Sequence, residues 1–78
     1  DLGEALLAAS TGELQGVELA WKSEPSVCVV MASAGYPAAP RTGDVIQGIE
    51  AAEATGAVVF HAGTRFGAQG LETAGGRV

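Results

Sequence analysis

The sequence predicts an α+β domain: an N-terminal helix, then an antiparallel-rich sheet with one short helix inserted. Three observations predict it. Apolar side chains recur at helical spacing over the first ten residues, behind a capping residue. Two wholly apolar runs, Val27–Ala32 and Ala57–Phe60, have the length of buried strands. Gly-rich turns punctuate the remaining segments at hairpin-like intervals.

Asp1-Leu2-Gly3-Glu4 reads as a capping box, with Asp1 as N-cap and Glu4 three positions on. Leu2, Ala5, Leu6 and Ala9 then share a helix face, and Thr11-Gly12 closes the helix. That apolar face predicts docking on a segment N-terminal to it. Val17, Leu19 and Trp21 alternate with Glu18, Ala20 and Lys22, the pattern of a half-buried strand that Pro25 ends. Val27–Ala32 is apolar on both faces and predicts a central strand, with Cys28 as a small buried hydrophobe. Ser33 to Pro40 is a loop, and Gly43-Asp44 turns the chain before Val45-Ile46. Ile49 to Ala54 predicts a short helix with Glu50 and Glu53 outward, ended by Thr55-Gly56. After the strand Ala57–Phe60, a Gly67-Ala68-Gln69-Gly70 turn joins Thr64–Phe66 to Leu71–Thr73 as a hairpin, and Val78 opens a return strand. The helix-to-sheet joint near Gly12 is the one internal boundary.

Composition limits what such a chain can do. Seventy-eight residues bury only about 60% of the surface they expose when unfolded. Much of the apolar content is Ala, which contributes little buried area, so the Val and Leu runs must carry the core. The twelve glycines add an entropic cost, so the fold is expected to be weak unless another segment completes it. The chain opens at Asp1 without Met and reaches a strand-opening Gly-Gly-Arg-Val at its end, which predicts a piece of a longer protein. A net charge of −5, with Lys22, Arg41, Arg65 and Arg77 dispersed, argues against a nucleic-acid partner. There is no apolar stretch of about 20 residues and no secretory signal, so no membrane partner is expected. A single unpaired cysteine fits a reducing, cytoplasmic home.

Few residues carry chemistry. His61 reads as a strand-end histidine bonded to nearby backbone rather than an acid or base, since no second catalytic group stands at a recognisable spacing. No metal-ligand spacing, phosphate loop or dinucleotide fingerprint occurs, and Glu50, Glu53 and Glu72 read as solvated faces. Two Gly-rich loops remain as candidate walls of a site. Gly35-Tyr36-Pro37 is either a backbone-donor loop or a simple turn. Gly75-Gly76-Arg77 suits bidentate capture of a phosphate or carboxylate, or is a surface arginine after a turn.

Five segments, in order, carry a family resemblance: Asp1-Leu2-Gly3-Glu4-Ala5-Leu6-Leu7-Ala8-Ala9, Val27-Cys28-Val29-Val30-Met31-Ala32-Ser33-Ala34-Gly35-Tyr36-Pro37, Gly43-Asp44-Val45-Ile46 through Gly48-Ile49-Glu50, Phe60-His61-Ala62-Gly63-Thr64 and Gly75-Gly76-Arg77-Val78. Together they resemble the phosphoribosylamine–glycine ligases (glycinamide ribonucleotide synthetases), ATP-grasp enzymes of de novo purine synthesis. The resemblance implies that residues 1–12 end the ATP-grasp core and 13–78 are a barrel-like C-terminal domain, truncated before its last strands and helix. It implies ATP and Mg²⁺ (or Mn²⁺) as cofactors of the intact enzyme, bound by an upstream ATP-grasp domain that is this stretch's partner, with none bound here. It also implies glycine and 5-phosphoribosylamine as substrates, no activity of the 78 residues alone, and a grip by Arg77, flanked by Gly75 and Gly76, on the ribotide phosphate. No catalytic or metal residue is carried over.

The sequence departs from the family at Ala34 and Ala38, where Gly is usual, and at Pro40, Thr42 and Ala74, where Tyr, Lys and Asn are common. Those changes weaken a direct ligand role for Ser33 to Pro37 and leave Arg77 untouched. Two other readings stand beside the ligase: an accessory C-terminal domain of a carboxylase-type ATP-grasp enzyme, and a non-catalytic β module that packs against a partner.

Overall fold

Asp1 starts the structure as the sequence predicts. In the computed structural model, which describes residues 1–78, its carboxylate accepts from the amides of Gly3 (2.8 Å) and Glu4 (3.4 Å). Helix α1 runs Leu2–Thr11 and ends at Gly12, whose amide returns to the Ala8 and Ala9 carbonyls. Glu4 makes no reciprocal bond, so the cap is one-sided. Only Ala5 of this helix is buried, and Leu2, Leu6 and Leu7 face solvent. A second helix, α2, spans Ile49–Glu53.

The hairpin forms where the Gly punctuation placed it. Strands β1 (Thr64–Gly67) and β2 (Gly70–Thr73) pair antiparallel, with Thr64 opposite Thr73 and Arg65 opposite Glu72. A third segment lies along the other edge of β2. Gly43 and Ile46 donate to the Thr73 and Leu71 carbonyls, Thr73 donates to Asp44, and Val45 bridges Glu72. Thr73 is 6% exposed and ties this edge together: its hydroxyl accepts from the Asp44 amide (3.1 Å) and donates to the Arg41 carbonyl (3.2 Å).

The other expected strands do not form. Residues 18–30 and 57–61 make no backbone hydrogen bond at all, although both runs have β-favouring composition. Val17–Lys22 is therefore not a half-buried strand; Leu19 and Trp21 are exposed. Val27–Ala32 is not a buried central strand: Val27 is 88% exposed, Cys28 is an exposed free thiol, and backbone pairing begins only at its C-terminal end. Ala57–Phe60 likewise lacks a ladder, and Phe60 is 80% exposed. The return strand at Val78 is reduced to one bridge, Ala32 with Arg77, flanked by the bond from the Val78 amide to the Met31 carbonyl. A common cause underlies these departures: a strand is defined by the neighbour that accepts its backbone bonds, and apolar composition supplies no neighbour.

The dimensions agree. The radius of gyration is 17.9 Å, against about 11–12 Å for a compact domain of this length. The chain makes 31 backbone–backbone hydrogen bonds where roughly 50–55 are usual. The architecture is a small, open α+β arrangement rather than a closed barrel.

Candidate functional site

The two Gly-rich loops, more than thirty-five positions apart, meet. The turn Gly75-Gly76-Arg77 lies against the start of the Ser33–Pro40 loop, and Ser33 is the residue that joins them. Its amide donates to the Gly76 carbonyl (2.8 Å) and its hydroxyl to the Gly75 carbonyl (2.5 Å). On the far side, the Gly63 amide donates to the Arg77 carbonyl (2.8 Å), and Ala74 donates back to Gly63 (2.7 Å). All three carbonyls of the turn are thus engaged. The amides of Gly75, Gly76 and Arg77 donate to nothing.

Close packing explains two glycines here. A Cβ on Gly76 would sit 2.5 Å from Tyr36 Cδ2 and 3.3 Å from Pro40 Cγ, so the Tyr36 ring occupies the space beside residue 76. Gly35 takes φ 83°, and a side chain there would run into the Ala39 carbonyl oxygen. The loop closes on itself through bonds from Tyr36 to Ser33 (3.1 Å), Ala39 to Gly35 (3.0 Å) and Arg41 to Ala34 (2.7 Å). The Gly35 amide has no acceptor. Ala34 and Ala38 have negative φ, so the loop closes without strain at either position.

Arg77 stands apart among the three arginines. Arg41 pairs with Asp44 (2.8 Å) and Arg65 with Glu72 (2.6 Å), whereas the exposed Arg77 has no carboxylate partner. Hydrogen bonding to Asp44, then its charge, raises the Arg41 guanidinium above its ordinary value. A raised arginine keeps its charge until strongly alkaline pH, so the Arg41 charge does not vary with pH in the neutral range. Glu72 is not a solvated carboxylate as composition implied: it is drawn across the hairpin by Arg65 and its side chain is largely covered.

His61 bonds the Thr64 hydroxyl through Nδ1 (3.3 Å) rather than backbone, and it lies outside the turn. No three His, Cys, Asp or Glu side chains are grouped to hold a metal ion. A shallow apolar cleft between α2 and β2, lined by Ile46, Ile49, Ala51 and Leu71, contains none of the candidate residues. No helix is long and apolar enough to cross a membrane.

Sequence reading placed Gly35, Tyr36, Gly75, Gly76 and Arg77 on two separate loops, and the structure brings these loops together. It took Ser33 only as the start of the first loop, with no link to the second, and gave Gly63 no role. The signal for Gly63 is a glycine immediately before the hairpin, where Gly75 Cα and the Arg77 oxygen approach to 2.7 Å of a would-be Cβ. Ser33 had no such signal, because a serine before a Gly loop is commonplace.

These features define an α+β domain that presents a glycine-flanked, unpaired arginine at a junction of two loops. Residues 26–78 match the family described as Phosphoribosylglycinamide synthetase, C domain, and the chain belongs to that family. It is 51% identical over its whole length to a phosphoribosylamine–glycine ligase of Vigna unguiculata, covering 26% of that protein. It is 49% identical to the chloroplastic phosphoribosylamine–glycine ligase of Arabidopsis thaliana and to the ligase of Caulobacter vibrioides, again over its whole length, covering 15% and 19% of them. The chain thus spans about a quarter or less of the curated relatives it matches. No solved structure matches it.

Proposed function

We propose that this chain forms part of an ATP-dependent ligase that joins glycine to 5-phosphoribosylamine, and that its Gly75-Gly76-Arg77 turn receives the 5′-phosphate. Family membership and the ligase names of its relatives support the reaction. In that reaction the glycine carboxylate takes the γ-phosphoryl group of ATP, releasing ADP. The amine of phosphoribosylamine then attacks the acyl phosphate carbonyl, expels phosphate and loses a proton. As the family resemblance implies, this reading assigns ATP and Mg²⁺ to the rest of the full-length protein. It assigns residues 1–12 to the end of the ATP-grasp core and 13–78 to the C-terminal domain, in the cytoplasm. The solvent-facing Leu2, Leu6 and Leu7 support a docked helix.

One observation carries the phosphate assignment. At the turn every carbonyl is bonded, three consecutive amides are free, and the adjacent guanidinium has no ion-pair partner. Acceptors that would repel an anion are masked, while donors and positive charge remain available. The test is Arg77→Ala in the full-length ligase. It is expected to raise KM for phosphoribosylamine roughly 10–100-fold, with KM for glycine and ATP near wild type, and to weaken inhibition by ribose 5-phosphate. An unchanged KM for phosphoribosylamine would overturn the assignment.

A further inference from the structure

Building on the phosphate reading of Arg77, we infer that Ser33 is the positioning residue of the phosphate-binding turn. Ser33 is the most buried residue of the chain, at 5% exposed, in a structure where almost nothing else is buried. Its covered hydroxyl and amide both bond the turn, to the consecutive carbonyls of Gly75 and Gly76. Two adjacent glycines have more backbone freedom than any other pair, and neither has a side chain by which it could be anchored. Ser33 supplies that anchorage from 42 positions away along the chain. Gly63 fixes the third carbonyl from the opposite side, so the turn is gripped by one residue on each flank.

The hydroxyl also has an electrostatic role. Without it, the Gly75 carbonyl regains free lone pairs on the turn that would receive the phosphate, and an uncompensated acceptor repels an anion. Ser33 itself need not touch substrate. It acts through the turn, so its effect depends on Arg77 being present. Binding at a phosphate remote from the reacting amine contributes equally to ground and transition states, so its loss moves KM more than kcat.

The experiment is a double-mutant cycle in the full-length ligase. Ser33→Ala is expected to raise KM for phosphoribosylamine roughly 5–20-fold, with kcat and KM for glycine and ATP within about 2-fold of wild type. In an Arg77→Ala background, the same substitution is expected to change KM by less than about 2-fold, because the group it positions is gone. If Arg77→Ala raises KM and Ser33→Ala does not, the positioning role is overturned and the Arg77 assignment stands. If Arg77→Ala leaves KM unchanged, the assignment itself has failed, whatever Ser33 does. Fully additive losses, or a fall in kcat with parallel rises in KM for all three substrates, would mark Ser33 as merely structural and overturn the inference. Should Ser33→Ala not fold, the isosteric pair Ser33→Thr and Ser33→Val decides. Thr retains the donor, so its KM is expected to be at least about 5-fold below that of Val; equal values overturn the role.

Discussion

The Tyr36 ring fills the space in which a side chain on Gly76 would begin, with Cδ2 2.5 Å from the would-be Cβ. The first loop thereby fixes what residue the second loop can carry.

Gly76→Ala in the full-length protein is therefore expected to displace either Tyr36 or the turn. Overpacking of this kind costs about 1–3 kcal/mol. The expected readout is a lower Tm together with a higher KM for phosphoribosylamine. Adding Tyr36→Ala should recover part of the Tm loss, since it removes the obstructing ring. A Gly76→Ala protein with wild-type Tm and KM would contradict the packing.

Thr73 supports the opposite edge of the hairpin. Thr73→Val keeps the shape but leaves the Asp44 amide and the Arg41 carbonyl without their hydroxyl partner. Losing hydrogen bonds at this half-buried edge costs about 0.5–1.5 kcal/mol each, so hydrogen exchange at the Asp44 amide should accelerate. Thr73→Ser, which retains the hydroxyl, should leave exchange near the wild-type rate. Equal exchange in the two variants would show that the bond carries no weight.

The 78 residues studied by themselves should melt broadly and self-associate. Val27, Val29, Val30, Val58 and Phe60 are exposed along segments that lack backbone partners, the condition under which edges pair between chains. Calorimetry with light scattering checks this. A sharp two-state melt of a monomer would sink the expectation.

Local signals were legible in the sequence, and long-range ones were not. Asp1, Gly12 and the Gly67–Gly70 turn each act within a few residues, and α1 and the hairpin form where those residues put them. Val27–Ala32 and Ala57–Phe60 misled because hydrophobic runs report a preference for burial and say nothing of what will do the burying. The site divided the same way. Arg77 and its glycines could be named as candidates from residue type and spacing, whereas the bonds of Ser33 to the Gly75 and Gly76 carbonyls join residues more than 40 positions apart, which no local pattern encodes.

That 42-residue separation has a consequence during synthesis. At about 5–20 residues per second, the Met31–Ser33 edge emerges from the ribosome roughly 2–8 seconds before Gly75 and Gly76 emerge to bond it. Nascent chains must shield an unpaired, apolar edge for that interval, so chaperone demand should be set by this stretch rather than by the early helix.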